Sequence, residues 1–173
     1  MSRPLVGEPL ALDLVNTQWV DHGRSFDLFD EPTQVRAWAQ GHGLTEQHAD
    51  ALETLRHTRA VLRRVLENPG APAEEDLNAV LAHGEVRHRV RDGVVHEETR
   101  TDAGWAAAWH AAHDYLALLR QDPTRIRRCA HPACVLHFFD TSRNGTRRWC
   151  SMEGCGSRAK AARHYRRSRP APA

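Results

Sequence analysis

Residues 129–155 of this 173-residue chain read CAHPACVLHFFDTSRNGTRRWCSMEGC and hold all four of its cysteines. Four residues separate Cys129 from Cys134, four separate Cys150 from Cys155, and fifteen lie between the pairs. Two such pairs are the usual sequence form of a tetrahedral zinc site, because each short loop turns two thiolates toward one point. The spacing therefore predicts one structural Zn²⁺ ion with Cys129, Cys134, Cys150 and Cys155 as its ligands.

Other chemistries also accept four cysteines. Disulfides are one alternative, but the N-terminus shows no signal peptide, which favours a reducing cytoplasmic location. A redox dithiol more often has a two-residue gap, and an iron–sulfur cluster also takes four cysteine ligands. His131 and His137 lie close enough in sequence to replace one cysteine. Because four thiolates leave no open coordination position, the predicted zinc site is structural and not catalytic.

The charge of the chain is divided unevenly between its two parts. Residues 1–124 hold 12 basic and 20 acidic residues, whereas residues 125–173 hold 12 basic and 2 acidic residues. The formal charges are therefore −8 and +10, and the whole chain carries +2. A block this basic attracts polyanions, and nucleic acid is the first candidate. A solvated tail that aids solubility is the alternative.

The residues after Cys155 predict a basic helix over 158–167. Lys160, Arg163 and Arg167 are spaced i, i+3 and i+7, which places them on one face of that helix. A basic helix anchored by zinc is suited to contact a DNA groove or its phosphates. The predicted nucleic-acid-binding residues are Arg143, Arg147, Arg148, Arg158, Lys160, Arg163, Arg166 and Arg167.

The first 124 residues predict a mostly helical domain. Apolar residues recur every three to four positions between capping and breaking residues, which is typical of amphipathic helices. Loop signals dominate residues 22–32, Asp92-Gly93 predicts the turn of a hairpin over 85–99, and Asp122-Pro123 marks the favoured domain boundary. The predicted fold class is mainly α with one β-hairpin, followed in residues 125–173 by a small four-cysteine zinc-finger module that ends in the basic helix. The predicted helices run over 33–40, from Thr45 to about Glu67, from Pro72 through Leu81, and over 103–121.

Two polar residues interrupt the apolar run at 9–17. Asp13 and Asn16 lie three positions apart, so they could face one pocket and bind a small molecule. The alternative, which we favour, is that they satisfy buried backbone groups near the end of a short helix.

The cysteine region resembles the CGNR zinc-finger family in several motifs. The Cys-Gly-Asn-Arg element of that family reads Cys155-Gly156-Ser157-Arg158 here, and serine can still cap a helix. The resemblance extends to residues 10–17 and to Asp27-x-Phe29-x-x-Pro32, which are similar to the ABATE domain that commonly precedes this finger. The finger motifs that carry the resemblance are Cys129-x4-Cys134, Phe138-x-Asp140-x-Ser142-Arg143-Asn144, Arg147-Arg148-Trp149-Cys150-Ser151-Met152 and the run from Cys155 to Arg163.

The resemblance implies a stress-related transcription regulator with a ligand-sensing N-terminal domain. DNA is then the expected partner, a small-molecule effector would act on residues 1–124, and a homodimer would enlarge the DNA contact of one short helix. RNA binding and a zinc-stabilised protein-interaction or ligand-sensing module without nucleic acid remain the alternatives. We expect no enzyme, because the sequence shows no catalytic triad, phosphate loop or open metal site. We expect no membrane span, because no apolar run approaches about 18 residues.

Overall fold

A computed structural model of the protein describes residues 3–44 and 52–168, with side chains described as far as Tyr165. These ranges contain six α-helices and three two-stranded antiparallel sheets. The helices are α1 (Leu10–Val15), α2 (Pro32–Gly41), α3 (Leu52–Glu67), α4 (Ala71–Leu81), α5 (Ala106–Gln121) and α6 (Ser157–Ser168). The strands are β1 (Gln18–Asp21), β2 (Arg24–Asp27), β3 (Gly84–Arg91), β4 (Val94–Thr101), β5 (Ile126–Arg128) and β6 (His137–Phe139).

The main core lies between α1, α3, α4 and α5, which confirms the mainly helical fold class. Helix α1 is short but buried at five of its six positions, because its apolar residues face helices on more than one side. Alanines on one face of α5, Ala107, Ala108, Ala111 and Ala112, are buried and permit close helix packing. Burial of this large apolar face, more than helix propensity, holds the domain together.

A second hairpin occupies most of the segment that the sequence predicts as a loop. Strands β1 and β2 pair around His22 and Gly23, whose φ angles of 47° and 76° suit a two-residue hairpin turn. The loop prediction over 22–32 was wrong here, because the strands are four residues long and lack alternating hydrophobicity. A 3₁₀ turn at Leu28–Asp30 then leads into α2. The predicted hairpin over 85–99 is confirmed as β3 and β4.

Helix boundaries differ from the predictions by a few residues at several ends. Helix α2 begins at Pro32, one residue before the predicted start, since proline suits the first turn of a helix. Helix α5 begins at Ala106, three residues after the predicted start, because Gly104 takes a φ of 76° and the Asp102 carboxylate bonds to His83. The predicted helix start at Thr45 lies outside the described residues. No helix within the described ranges is long and apolar enough to cross a membrane.

The C-terminal module packs directly against the helical domain. A 3₁₀ turn at Pro123–Arg125 follows α5, and β5 then pairs with β6. Phe139 of β6 belongs to the main helical core, whereas its neighbour Phe138 packs with the cysteines. Trp19 of β1 also joins the cysteine cluster, where it stacks on Phe26 at 5.5 Å. The two predicted units therefore share a continuous apolar interface.

Candidate metal centre and nucleic-acid interface

The four cysteines come together at one buried point. Cys129 follows β5, Cys134 closes the first loop, and Cys150 and Cys155 flank the second loop before α6. Their sulfur atoms all lie within 4.8 Å of one another, and all four cysteines are free thiols. The cluster thus joins both loops, the start of α6 and the β5–β6 hairpin.

The spacing of the sulfur atoms suits a tetrahedral metal ion. With Zn–S bonds of about 2.3 Å, neighbouring sulfurs of a tetrahedral site lie about 3.8 Å apart. The Sγ–Sγ distances are 3.8 Å for Cys134–Cys150 and 3.6 Å for Cys150–Cys155. The cluster therefore fits a single zinc ion with a closed shell of four thiolates. Neither His131 nor His137 belongs to this group of potential ligands within the described residues.

Hydrogen bonds and charge also prepare the site for a cation. The backbone N–H of Cys150 donates to Cys129 Sγ at 3.4 Å, and the Arg158 guanidinium donates to Cys155 Sγ at 3.5 Å. The pKa of the Cys134 thiol is raised to about 12, first because of its hydrogen bond with Cys129. Contacts with Cys129 and Cys134 likewise raise the pKa of Cys150. Several thiolates cannot coexist here without a cation, and a bound Zn²⁺ ion would hold them all deprotonated.

Backbone turns fix each pair of cysteines. Cys134 N–H donates to the His131 carbonyl, and the His131 ring accepts from Ala133 N–H, which shapes the first loop. In the second loop, the Ser151 hydroxyl accepts from Gly154 N–H. The predicted cap at Ser157 was wrong in detail, because its hydroxyl donates to the Met152 carbonyl at 3.0 Å and closes the turn before α6.

Asp140 organises the segment between the two loops. It is fully buried and accepts hydrogen bonds from Ser142 N–H, the Ser142 hydroxyl and Arg147 N–H. Burial alone would raise the pKa of this carboxyl, but these hydrogen bonds hold it below its ordinary value. The carboxylate therefore fixes the turn that directs Arg147 and the second pair of cysteines.

Asn16 holds the finger onto the helical domain. Its side-chain amide donates to the His137 carbonyl at 2.8 Å and accepts from His137 N–H at 2.9 Å, so it pairs with β6 as a neighbouring strand would. Glu8 extends this contact by accepting from Phe139 N–H at 2.9 Å. Asn16 thus satisfies buried backbone groups, as the favoured alternative predicted, although the groups belong to the finger and not to its own helix.

Asp13 is fully enclosed. Its Oδ2 atom contacts Arg3 at 2.9 Å, Trp38 Nε1 at 2.8 Å and His42 Nε2 at 2.7 Å. Burial would raise the pKa of Asp13, but the hydrogen bond from His42 and the Arg3 charge bring it below its ordinary value. Asp13 has no exposed surface, and its contacts tie together the N-terminus and α2.

The predicted basic residues divide into two groups. Arg147 is held at the interface: it donates to the Trp149 and Cys150 carbonyls, pairs with Glu8 at 3.2 Å and covers the Phe138 ring at 4.2 Å. Arg158 is also engaged, through Cys155 and through Asp21 at 3.7 Å. The exposed group comprises Arg143, Arg148, Lys160 and Arg163, while Arg166 and Arg167 lie on α6 but their side chains are outside the description.

A groove runs between the first cysteine loop and α6. It has a volume of about 590 Å³, with Trp149 and Ala162 among its lining residues and Arg148 and Arg163 contributing positive charge. Trp149 is half-buried: it packs against the cysteine cluster and also faces this groove. Arg148 and Arg163 thus present cations at this open face of the finger, and exposed Lys160 lies on the same helix as Arg163.

Comparison with protein families gives a match for each of the two parts of the chain. Residues 8–122 match the ABATE model, described as "Putative stress-induced transcription regulator", and residues 125–168 match the CGNR zinc finger. The chain belongs to the ABATE family. Its CGNR finger follows the ABATE domain, so the resemblance and the domain order expected from the sequence motifs are confirmed. No curated protein matches the chain.

Three carboxylates that help to hold the finger in place were not assigned this role from the sequence: Glu8, Asp21 and Asp140. All three are carboxylates that bind arginines or backbone N–H groups of the CGNR finger. Asp140 carried a signal, because Asp-x-Ser is a common turn in which the carboxylate accepts from the residue two positions on. Glu8 and Asp21 carried none, since their partners are more than one hundred residues away.

Proposed function

We propose that this protein is a DNA-binding transcription regulator whose finger is built on one structural Zn²⁺ ion bound by Cys129, Cys134, Cys150 and Cys155. The observation that carries the proposal is the position of α6. It starts directly from the cysteine cluster, and its Lys160 and Arg163 side chains are exposed and have no ion-pair partner within the described residues. A closed zinc shell would hold this helix rigidly, as a helix that enters a DNA groove requires.

The electrostatics support a polyanionic partner. Arg143, Arg148, Lys160 and Arg163 are exposed on the finger, and few acidic residues surround them. Such side chains contact mainly phosphates, which set affinity and position more than sequence preference. Arg166 and Arg167 are further proposed contacts, given their place on α6. A homodimer would supply a second helix and with it greater specificity.

The ABATE domain is proposed to act as the sensor, in a regulator that works in the cytoplasm. Support comes from its interface with the finger, where Asn16 binds the backbone of β6 and Phe139 enters the helical core. A ligand that changed the packing of the ABATE domain would therefore act directly on the finger. Asp13 and Asn16 are not proposed as the ligand-binding residues, since both are fully buried and bonded to protein groups.

The test is binding of fluorescent duplex DNA by the full-length, zinc-loaded protein over a salt series. The double variant Lys160→Gln/Arg163→Gln removes two exposed charges from α6. We expect weaker binding and a salt slope reduced by about 0.9 for each lost phosphate contact. Fluorescence anisotropy measures both quantities.

The matched control is Arg36→Gln/Arg120→Gln, which removes two exposed charges from the ABATE domain. This control should keep the wild-type slope. Equal losses in the two double variants would show only a general charge effect and would contradict an interface at α6. Tighter binding to RNA of the same length would favour the RNA-binding alternative, and no binding to either polymer at low salt would favour a protein partner.

A further inference from the structure

Two adjoining clefts flank Arg63 on the surface of the ABATE domain. The first, of about 290 Å³, is lined by Arg63 together with Gln18 and three other arginines, Arg56, Arg59 and Arg64. The second, of about 330 Å³, lies against the β1–β2 hairpin and shares both Gln18 and Arg63 with the first. We call the pair the Arg63 cleft. One of its halves is lined mainly by arginines, and the other combines apolar side chains with Asp30 and with Asp27, whose carboxylate is paired with Arg59.

The Arg63 guanidinium has unused hydrogen-bonding capacity. One Nη atom donates to the Val15 carbonyl at 2.9 Å, and the other lies 4.0 Å from Glu67, beyond hydrogen-bond distance. Its Nε atom is buried and has no partner within the described residues. A buried donor without an acceptor is unfavourable, so this side chain can gain from an acceptor brought by a ligand.

The positive charge of Arg63 is poorly compensated by the charged groups around it. Arg59 is already held by Asp27, with two contacts of 2.6 Å, and Arg64 pairs with Asp76. Burial lowers the pKa of Arg63, Glu67 opposes this, and the nearby Arg59 and Arg128 lower it further. Arg128 lies on the finger and has no ion-pair partner within the described residues. An anion at Arg63 would relieve the repulsion among these cations.

The other half of the cleft offers apolar surface. Trp19, Val20 and Phe26 of the hairpin line it, and Trp19 and Phe26 are stacked. Val135 of the finger completes the wall. Small-molecule sites commonly combine such apolar walls with a few charged groups that orient the ligand.

We propose that the Arg63 cleft binds a small organic acid whose oxyanion is bound by Arg63 and whose apolar body packs between the β1–β2 hairpin and Val135. Because arginine binds planar oxyanions through paired N–H groups, a carboxylate or a phosphate head would be accepted. Each half of the cleft, at about 290 and 330 Å³, has room for a body of at least one aromatic ring or a short aliphatic chain.

Such a ligand would contact both the ABATE domain and the finger. Val135 lies in the finger, while the Val15 carbonyl bound by Arg63 immediately precedes Asn16, which holds His137. Occupation of the cleft would therefore strengthen the attachment of the finger. This regulatory consequence rests on the proposed function, whereas the binding of the acid does not.

The test is titration of the full-length, zinc-loaded protein with benzoate, hexanoate and inorganic phosphate, followed by calorimetry and by the thermal midpoint. We expect the two carboxylates to bind more tightly than phosphate, because only they have an apolar body. Tighter binding of phosphate would overturn the apolar half of the proposal. Benzamide has the same shape as benzoate but no charge, so equal binding of benzamide would overturn the role of the oxyanion.

Two variants locate the site. Arg63→Gln should weaken benzoate binding by about tenfold or more, since it removes a charge-assisted contact. Val135→Asp leaves the Arg63 side chain in place and should also weaken benzoate binding, because it adds a carboxylate to the wall that the apolar body would contact. The control, Arg120→Gln, removes an exposed arginine elsewhere and should bind as the wild type does.

Benzoate affinity unchanged in both Arg63→Gln and Val135→Asp would overturn the proposal, as would a lack of binding by the wild type. Neither readout involves DNA. Failure of acid binding would thus leave the DNA-binding result intact, and failure of DNA binding would leave the acid site intact. If both hold, saturating benzoate should raise the thermal midpoint of the finger and alter DNA affinity in the wild type but not in Arg63→Gln.

Discussion

The two halves of the zinc finger face different surroundings. In the first half, residues 129–140, the β6 strand is buried at every position and bound by Asn16 and Glu8 of the ABATE domain. In the second half, residues 150–165, the chain leaves the cysteine cluster as α6, with most of its side chains in solvent. Residues 129–140, which we call the attached half, therefore hold the finger on the ABATE domain. Residues 150–165 present charge to solvent. The four cysteines are the only buried cluster of potential metal ligands within the described residues that joins the two halves.

A related difference separates Arg147, which lies between the two halves, from Lys160 of the second half, although both are basic. Arg147 directs its donors to backbone carbonyls and Glu8 and contributes to attachment. Lys160 has no such partner within the described ranges and remains available to phosphate. The role of an arginine or lysine in this finger is thus set by the groups that its side chain contacts, and not by its charge alone.

The largest expected effect is loss of the metal centre through Cys150→Ser. Zinc binding contributes on the order of 10 kcal/mol to folding of small zinc modules. Without it, the cysteines of both halves lose the metal ion that they share, and α6 should detach from the cluster. Elemental analysis should show loss of one zinc per chain, and circular dichroism should show a loss of helix. A matched change at an exposed hydroxyl outside the cluster, Ser25→Ala, should leave zinc content at one per chain.

A zinc content near zero per chain in freshly reduced wild-type protein would contradict the zinc assignment itself. Full zinc content in Cys150→Ser would instead mean that the remaining three thiolates suffice, and that the link between the two halves does not require the fourth.

A smaller effect is expected from Asn16→Ala, which acts on the attached half alone. The change leaves the His137 N–H and carbonyl buried without partners, and each such group costs about 1–3 kcal/mol. We expect the free energy of unfolding to fall by about 3–5 kcal/mol, as measured by urea denaturation. The same substitution at exposed Asn78 on α4 should change stability by less than about 0.5 kcal/mol.

Zinc content and the salt slope of DNA binding should survive in folded Asn16→Ala protein. A loss of slope as large as that of the α6 variant would show that the two halves do not have separate roles.

Local patterns predicted the metal cluster and the long helices well. The cysteine spacing alone placed four thiolates at one point, and apolar periodicity identified α3 and α5. Both signals lie within short stretches of chain. The β1–β2 hairpin carried a local signal as well, in His22-Gly23, but its four-residue strands show no alternating pattern and draw their burial from the distant finger.

The interface could not be predicted, because its contacts join residues far apart in the chain. Asn16 and His137 are 121 positions apart. Nothing near Asn16 shows that its partner is a strand of the finger, and the apolar run around it is also compatible with a ligand pocket. The division of charge into −8 and +10 indicated two units, but it did not show that Phe139 of one lies in the core of the other.

The smallest effect concerns pH and again tests the attached half. His137 is 2% exposed, and neither ring nitrogen has a partner within the described residues. Burial first, then the charges of Arg63 and Arg128, lower its pKa from 6.5 to about 4. The unfolded chain therefore takes up this proton at a higher pH than the folded protein does. The stability that neutral His137 provides is complete above about pH 6.5 and is lost as the pH falls toward 4, with a limit of about 3 kcal/mol.

The measurement is urea denaturation of wild type and His137→Gln between about pH 8 and pH 5, with His96→Gln as the exposed control. Every other titratable group is common to wild type and His137→Gln, so the difference between these two proteins isolates the imidazole. That difference should change by about 2 kcal/mol over this range, whereas His96→Gln should follow the wild type. Parallel pH profiles for wild type and His137→Gln would show that the imidazole is already solvated in the folded protein, and that the attached half opens far more readily than its hydrogen bonds to Asn16 imply.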